Sequence, residues 1–423
     1  MLDIKFIREN PQIVKESLKK RNSKFNLDDF LKLDKERRRL LAKIENISAE
    51  QNKISSKIKK LFKDKKEPKE AINRSKKIKV EIELLKNEFK NIDKRWREKT
   101  LQIPNIPDSS LPEGGALANK VIKEAGKKPT FKFSPADHCE IAKRLEIIDF
   151  KRATKITGSN FVCFKGFGAQ LVRALLNFML DVHTQKNSYL EIWPPKIVNQ
   201  SSMQTTGQLP NLKEDMYQIQ DTDFFLIPTA EVPVTNLHSN ELLEEKSLPI
   251  SYAAYTPCFR KEAGSYGKDT KGLMRVHEFD KVELVKITKP ENSYQALDKI
   301  LSDACQILDL LKLPYRILLL ATGDISFASA KCYDIELYAP GLDKWLEVSS
   351  CSNFESFQAR RGNIKYKDSK TGKNEYVHTL NGSGVALARL IVAILENYQQ
   401  GDGSIVIPKV LRSYLGGRKR IKK

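Results

Sequence analysis

In the first hundred residues, a set of mostly apolar positions recurs at alternating spacings of four and three residues. They are Leu40, Ile44, Ile47, Gln51, Ile54, Ile58 and Leu61, followed by Ala71, Ser75, Ile78, Ile82, Leu85, Phe89, Ile92 and Trp96. This heptad spacing predicts two long helices that pack along a narrow seam. The charged segment "FKDKKEPKE" lies between the two runs, and its Pro68 must interrupt the helix. The pattern therefore predicts an antiparallel helical hairpin.

The predicted hairpin is long for its width. From Leu33 to Leu61 it would extend about 42 Å at ~1.5 Å per residue. A seam of this kind does not belong inside a globular core, so we expect the hairpin to project into solvent. Two functions fit the seam equally well. It could be a basic arm that grips a large partner, or a dimerising coiled coil with solvated charges.

The amino-acid composition of the chain changes after Trp96. "LQIPNIPDSSLPEGG" is rich in proline and glycine, which indicates a linker. Beyond it, strand-like segments such as "DFFLIP", "FDKVELVKI" and "CYDIELYAP" outnumber helical ones such as "SYQALDKILSDACQILDLL" and "VALARLIVAILENY". This predicts an α+β domain with a mostly antiparallel sheet. We therefore divide the chain into a hairpin at 1–105, a linker at 106–130 and a mixed domain at 131–423.

The amino-acid composition also indicates a class of binding partner and a cellular compartment. The 74 basic and 53 acidic residues give a net charge of +21, which favours an anionic partner such as nucleic acid, although a lysine-rich solvated surface would show the same excess. The six cysteines form no CxxC pair, which favours reduced thiols over a zinc site. The N-terminus has no signal layout and no apolar run approaches ~20 residues, so we expect a cytoplasmic protein outside membranes.

The segment "FRKEAGSYGKDTKGLMRVHEFDKVEL" carries the most concentrated candidate chemistry. Arg260 and Glu262 would share one face of a strand, and Arg275 would start the returning strand that carries Phe279 and Glu283. Arginine suits phosphate or carboxylate, and an aromatic face suits a base ring. The segment therefore predicts either a nucleotide site or an exposed hairpin with cross-strand ion pairs.

Further candidates lie outside that hairpin. Glu231 in "LIPTAEVP" and Glu347 in "LEVSSCSN" are carboxylates at apolar strand ends, where they could be paired structurally or could hold a cation or an amine. In "TLNGSGVALARLIV", Gly382 and Gly384 would open the helix that carries Arg389. Glycines there would let a ligand approach closely, although simple helix capping is the alternative.

Taken together, these segments resemble the class II aminoacyl-tRNA synthetases. "PCFRKEAGSYGKDTKGLMRVHEFDKVEL" is similar to motif 2, "TLNGSGVALARLIVAILENYQQGDGSIVIPKVLRSYLGG" to motif 3, and "LLNFMLDVHTQKNSYLEIWPPKIVN" to motif 1. "TGQLP", "TAEVPVTNL" and "EVSSCSNFESFQARR" resemble the seryl-tRNA synthetase family, as does the hairpin, which matches its tRNA-binding domain. The resemblance covers essentially the whole chain.

The resemblance implies a set of serine ligands and a set of ATP ligands. The serine ligands would be Thr229, Ala230, Glu231, Glu283 and Ser383, with Glu231 meeting the ammonium group and Glu283 the hydroxyl. Arg260, Glu262, Arg275 and Arg389 would act on the reacting phosphates and serve catalysis. The ATP ligands would be Arg260, Lys261, Glu262, Phe279, Arg389 and the segment Glu347, Val348, Ser349 and Ser350. Glu347 would be the candidate Mg²⁺ ligand.

The implied activity is that of a serine–tRNA ligase. The enzyme would form seryl-adenylate from L-serine and ATP and transfer the seryl group to tRNA(Ser), held by the hairpin. The motif 1 likeness implies a homodimer, and whether the selenocysteine tRNA is also charged stays open. The alternatives are a relative that adenylates an amino acid for a carrier protein, and a non-catalytic tRNA-binding relative.

Some positions depart from the common family pattern. Ala388 stands where glycine is usual, and Leu390 replaces a usual threonine. Lys261 stands where a small hydroxyl is frequent, and its side chain is expected to point away from ATP. The basic tail "GGRKRIKK" is expected to be solvated, with contact to tRNA as the alternative.

Overall fold

A computed structural model describes residues 1–263 and 271–423. Two compact units emerge, a smaller one of Asp3–Lys19 and Ser23–Pro104 and a larger one of Met1–Leu2, Lys20–Asn22 and Asn105–Lys423. The helices of the described part are α1 Ile4–Glu9, α2 Pro11–Lys20, α3 Leu27–Lys63, α4 Lys69–Thr100, α5 His138–Leu145, α6 Phe150–Thr157, α7 Phe167–Asp181, α8 Gln200–Thr206, α9 Glu231–Asn236, α10 Ser293–Leu311, α11 Phe357–Gly362 and α12 Leu387–Asn397. The strands are β1 Lys120–Ala125, β2 Leu190–Glu191, β3 Ile197–Asn199, β4 Phe224–Leu226, β5 Leu242–Glu244, β6 Ile250–Phe259, β7 Glu278–Thr288, β8 Tyr315–Leu319, β9 Lys331–Ala339, β10 Lys344–Asn353, β11 Lys365–Lys367, β12 Asn374–Tyr376, β13 His378–Ala386, β14 Ile405–Val406 and β15 Arg420–Ile421.

The smaller unit contains the predicted helical hairpin. Helix α3 has 37 residues and α4 has 32, and the interruption falls at Pro68 as predicted. At ~1.5 Å per residue α3 is about 55 Å long. Helices α3 and α4 bury a common apolar cluster, which confirms the predicted hairpin.

Burial along the seam is least complete at its tip. The cluster near the base consists of Leu33, Leu40, Ile44, Leu85 and Ile92, with Ile47, Phe89 and Trp96 partly buried against it. Farther out, Ile78 is still only 1% exposed, but Ile58, Leu61 and Ala71 at the tip are only partly buried. The tip of the hairpin therefore gains less from apolar burial than its base does.

A buried carboxylate ties the base of the hairpin together. Asp34 has no exposed surface and accepts two hydrogen bonds of 2.8 Å from Arg8 on α1. It also accepts a bond from Arg38, one turn along α3, and one from the indole of Trp96 on α4. Burial acts to raise its pKa, but these donors hold the pKa of the Asp34 carboxyl below its usual value. Three helices therefore depend on one ionised side chain.

The larger unit is built on an eight-stranded sheet in the order β1-β8-β9-β10-β13-β7-β6-β2. Every pairing in it is antiparallel except that of β2 with β6, which is parallel. The prediction of a mostly antiparallel α+β domain is therefore confirmed. Strand β1 lies within residues 106–130, where the sequence indicated a linker.

Side-chain alternation along β13 separates the two faces of this sheet. A methyl group on Gly382 would lie 2.3 Å from Ile300 of α10, and one on Gly384 would lie 2.6 Å from His183. These glycines therefore serve close packing against buried side chains, and their interpretation as ligand approach points was wrong. Ser383 lies between them and faces the opposite side.

The backbone around four candidate residues also differs from the sequence interpretation. Arg260 and Glu262 lie beyond the end of β6, because Glu262 has a left-handed φ of 51° that no strand accommodates. Arg275 precedes β7 by three residues instead of starting it. Glu231 begins helix α9, whose Pro233 is tolerated in the first turn. Glu347 lies inside β10, not at its end.

The cysteines agree with the expectation of reduced thiols. All six cysteines are free thiols, and Cys258, Cys305, Cys332 and Cys351 are buried. Within residues 1–263 and 271–423, no helix is both long and apolar enough to cross a membrane.

We predict that Asp34→Ala lowers the free energy of unfolding of the smaller unit by about 2–3 kcal/mol, because the indole N–H of Trp96 loses its acceptor and two arginines lose their shared partner. The measurement is urea unfolding followed by Trp96 fluorescence in a chain with Trp193→Phe and Trp345→Phe. Glu50→Ala is the control. It breaks the exposed pair with Arg74 and should change the free energy by no more than about 0.5 kcal/mol. An equal effect of both substitutions would contradict the prediction.

Candidate active site

A cavity of about 580 Å³ opens over strands β7, β10 and β13 of the large sheet. Its lining contains most of the residues that the sequence predicted for serine and ATP. They are Thr229, Glu231, Arg260, Glu262, Arg275, Phe279, Glu347, Val348, Ser350, Ser383 and Arg389. The fold thus brings into one cavity segments that are up to 160 residues apart in the chain, from Thr229 to Arg389.

Four predicted residues lie outside this lining. Ala230 is fully buried in an apolar cluster with Val234 of α9. Lys261 is exposed, and its ammonium group lies 5.6 Å from the Tyr217 ring centroid. The Ser349 hydroxyl donates a 2.6 Å hydrogen bond to the carbonyl of Ser383 and so supports the lining from behind. Glu283 is the fourth.

Glu283 is closed off from the cavity by its own hydrogen-bond donors. Its carboxylate has no exposed surface and accepts hydrogen bonds from the Thr229 hydroxyl at 2.9 Å and from the Asn381 amide at 3.2 Å. It also forms an ion pair with Lys281, two residues earlier on β7. Thr229, Asn381 and Lys281 all line the cavity. Glu283 thus lies directly beneath the surface of the cavity.

Glu231 is a second buried carboxylate in this region. It is 6% exposed, and its Oε1 accepts a 2.6 Å hydrogen bond from the amide of Gln358. Burial raises the pKa of the Glu231 carboxyl to about 7, and the charge of Glu283 adds to the rise. Gln358, Lys281 and Arg260 act in the opposite direction. The cavity therefore has a carboxylate that gains from a cationic ligand.

The arginines at the cavity are held by specific partners. The Arg260 guanidinium lies 5.3 Å from the centroid of the Phe279 ring, and its Nε donates to the carbonyl of Pro228 at 3.3 Å. Arg275 donates to the carboxylate of Glu262 at 2.7 Å. These contacts fix the direction of two guanidinium groups that face the cavity, as electrostatic stabilisation of a reacting anion requires.

Arg389 and Glu347 form the other charged edge of the cavity. The Arg389 guanidinium donates to the carbonyl of Glu347 at 2.6 Å and lies 3.6 Å from its carboxylate. Asp334 lies behind them on β9, and burial together with the charge of Glu347 raises the pKa of its carboxyl to about 8. The Glu347 carboxylate and the Ser350 hydroxyl are hard oxygen ligands. Such a donor set fits Mg²⁺, which takes one or two protein ligands together with phosphates and water.

His277 has a structural role beside the cavity. Its Nδ1 lies 3.0 Å from the carbonyl of Arg260, and its ring stacks with that of Phe161. Residues 264–270, between Glu262 and Arg275, lie outside the described part of the chain.

Several lining residues were not singled out from the sequence. Lys281 contacts both Thr229 and Glu283. Asp215 accepts the backbone N–H of Lys261 and, through its side chain, that of Ala263. Gln358 lies just behind the lining. The signature segments "TGQLP" and "FESFQARR" contained the signal for this region, but no residue in them could be given a contact without the fold.

The antiparallel sheet, the arginines on its cavity face and Arg389 at the start of α12 define the core of a class II aminoacyl-tRNA synthetase. A family model described as "tRNA synthetase class II core domain (G, H, P, S and T)" matches residues 215–398. A second, described as "Seryl-tRNA synthetase N-terminal domain", matches residues 1–107. The chain is 50% identical over 422 residues to the serine–tRNA ligase of Geotalea uraniireducens, covering 100% of both chains. It therefore belongs to the seryl-tRNA synthetase family and is an aminoacyl-tRNA ligase for serine.

Other relatives agree with this assignment. The serine–tRNA ligase of Thermodesulfovibrio yellowstonii is 51% identical over 420 residues, which cover 98% of this chain and 99% of the relative. The crystal structure of seryl-tRNA synthetase from Pyrococcus horikoshii, complexed with ATP, superimposes with a TM-score of 0.92 at 38% identity, covering 100% of this chain and 99% of that one. The carrier-protein and non-catalytic alternatives gain no support from these comparisons.

We predict that Glu231→Gln stabilises the protein at pH 8 but not at pH 4. The unfolded carboxyl ionises near its ordinary 4.5 and the folded one only near 7, so the folded state binds more protons between these values. Stability is therefore lost as the pH rises through this window. The shift corresponds to about 3.4 kcal/mol at pH 8, at ~1.4 kcal/mol per pKa unit. The measurement is the thermal unfolding temperature at both pH values, with the exposed Glu214→Gln as control. A gain that is equal at both pH values would refute the assignment to Glu231.

Proposed function

We propose that this cavity activates L-serine with ATP, forming seryl-adenylate and releasing pyrophosphate from the ATP, and that it then transfers the seryl group to the 3′-terminal adenosine of tRNA(Ser) with release of AMP. One observation carries the proposal. One buried carboxylate in the lining, a second directly beneath it, and three arginines for phosphates converge on one cavity over an aromatic ring. The Pyrococcus relative was crystallised with ATP, and the serine–tRNA ligase of Naegleria fowleri with AMP, which supports a nucleotide in this position.

In this proposal the amino acid binds at the buried-carboxylate end of the cavity. Glu231 receives the ammonium group, which repays the cost of keeping the carboxylate ionised in a buried position. Thr229 and Ser383 line the remaining surface, and Ala230 packs behind them. The serine hydroxyl takes the place of one of the donors that now satisfy Glu283. Alanine has no hydroxyl to form this hydrogen bond, so we expect the site to favour serine over alanine.

The first chemical step needs charge neutralisation more than proton transfer. The serine carboxylate is already an anion when it attacks the α-phosphorus of ATP, so no general base is required. Arg260 reaches from the amino-acid end towards the α-phosphate and can contact both reactants. Positioning and electrostatic stabilisation then supply the acceleration, as in other phosphoryl transfers.

The nucleotide occupies the opposite end of the cavity in this proposal. Adenine stacks on Phe279, whose ring Arg260 now contacts, while Arg275 and Arg389 face the γ-phosphate. Glu262 orients Arg275 through their 2.7 Å hydrogen bond. Glu347 and Ser350 would hold Mg²⁺, which supplies additional positive charge to the phosphates, and Ser349 supports this segment through Ser383.

Transfer to tRNA needs a second binding surface. We propose that the hairpin of α3 and α4 binds the tRNA through its phosphates and its shape. Charging of the selenocysteine tRNA stays an open part of this proposal. A homodimer is supported by the motif 1 likeness and by the exposed apolar Leu190, Trp193 and Ile197, a surface of the kind that partners cover. The cytoplasmic location stays a prediction.

The proposed activation step predicts serine-dependent exchange of labelled pyrophosphate into ATP without tRNA. Serine should support exchange, whereas threonine, alanine and glycine should not. Arg389→Ala should reduce the rate by about 10²–10³, because a charge aimed at the developing anion is lost. The control is Arg152→Ala on α6, whose guanidinium pairs with Asp149 outside the cavity. No serine-dependent exchange from folded protein with Mg²⁺ would overturn the proposed function.

A separate prediction concerns the hairpin. The exposed Lys53, Lys57 and Lys60 share one face of α3. Replacing all three with glutamine should leave serine-dependent exchange unchanged but raise the KM for tRNA in aminoacylation about tenfold or more, with a shallower salt dependence. Replacing Lys344, Lys365 and Lys373 in the larger unit removes the same net charge and serves as control. Equal effects of both triple variants would show that overall charge, not the hairpin, attracts tRNA.

A further inference from the structure

The segment "FESFQARR" resembles the family, but no role followed from that likeness, and its Gln358 has a specific set of contacts. Gln358 lies on α11 with no exposed surface. Its Nε2 donates to Oε1 of Glu231 at 2.6 Å and to the carbonyl of Thr206 at 3.2 Å. Its Oε1 accepts a 2.7 Å hydrogen bond from the hydroxyl of Thr379. The carboxamide therefore uses both N–H groups and its oxygen.

These contacts fix which way the carboxamide points. A backbone carbonyl only accepts hydrogen bonds, so the group near Thr206 must be the NH₂ of Gln358. The oxygen then faces Thr379, whose hydroxyl can donate. One N–H is left for Glu231, which takes it on a single carboxylate oxygen. Among the described residues the other oxygen of Glu231 accepts no hydrogen bond, and Glu231 lines the cavity.

The same contact bears on the charge of Glu231. Burial and Glu283 favour its protonated form, while Gln358, Lys281 and Arg260 favour the carboxylate. Lys281 is itself paired with Glu283, and Arg260 is turned towards Phe279. Gln358 is therefore the donor that contacts Glu231 directly. An ammonium ligand needs the carboxylate in its ionised form.

We infer that Gln358 is a positioning residue for the ammonium group of the amino-acid substrate, and that it acts by orienting the Glu231 carboxylate and keeping it ionised. This inference rests on the proposed function, because Glu231 is the ammonium ligand only there. Gln358 also holds Thr206, a second residue of the cavity lining. One carboxamide thus fixes two walls of the amino-acid end of the cavity, and neither contact involves ATP.

The test compares Gln358→Met with a matched control in serine-dependent pyrophosphate exchange. Methionine keeps the length of the side chain but cannot donate. We expect the KM for serine to rise about 10- to 100-fold, as for the loss of a hydrogen bond to a charged group, while the KM for ATP changes less than about twofold. The control is Gln399→Met. Gln399 is 2% exposed, has three hydrogen bonds to Ala136 and Glu396, and should leave both KM values unchanged.

Two further measurements separate this role from a merely structural one. In the wild type, kcat/KM for serine should fall as the pH drops below about 7, where Glu231 takes up a proton, and Gln358→Met should move this limb to higher pH. In Glu231→Gln, adding Gln358→Met should cause little further loss, because both substitutions act through one group. If Gln358→Met does not fold, Thr379→Val releases the Gln358 oxygen and should raise the KM for serine about 2- to 10-fold.

The outcomes distinguish the inference from the function on which it rests. Absent exchange in the wild type would overturn the proposed function itself. An unchanged KM for serine in Glu231→Gln would overturn the assignment of Glu231 as the ammonium ligand, and the inference about Gln358 with it. An active wild type with a damaged Glu231→Gln, together with a KM for serine in Gln358→Met within twofold of wild type, would overturn the inference alone. Equal increases in the KM for serine and for ATP would also overturn it, since they would indicate a general disturbance of the cavity.

Discussion

The alternation of side chains along β7 and β13 is the constraint on which the rest of the larger unit depends. Antiparallel pairing sets Glu283 opposite Ser383 across these strands. With this register fixed, Val282 and Leu284 enter the apolar core with the helices, while Phe279 and Lys281 reach the cavity. A slip of one residue would exchange the two sets and bury the charges among apolar side chains. Gly382 and Gly384 of β13 reinforce this register, because Ile300 and His183 pack where any other residue would place its Cβ atom.

Much of the fold could be predicted from local patterns because its elements depend on local spacing. The heptad seam of α3 and α4 and the break at Pro68 are properties of neighbouring residues. The small strand β1 escaped detection because it belongs to the sheet only through pairing with β8, nearly 200 residues later in the chain. Its exposed, charged sequence carries no strand signal, and its place at the sheet edge makes none necessary.

The residues of the candidate site likewise divide into those that the sequence could predict and those that only the fold reveals. Charged residues in a recognisable motif, such as Arg260 and Arg389, could be predicted even though the strand geometry assumed for Arg260 was wrong. Gln358 could not, since its partner Glu231 is 127 residues away and its own side chain is uncharged. Glu283 illustrates a different limit. The sequence places it on the correct strand face, but only the structure shows that three donors already surround its carboxylate.

The buried charges around the cavity also lower the stability of the fold. Two buried carboxylates share a small volume with Lys281 and Arg260, and burial favours the neutral form of Glu231. Apolar residues of similar size would fold more favourably there. A charged amino-acid substrate changes this balance, because its ammonium group provides the missing positive charge. The buried charge of Glu231 that destabilises the free protein is thus the same charge that would favour binding of an ammonium group. A substitution that removes this charge would therefore increase stability and weaken substrate recognition.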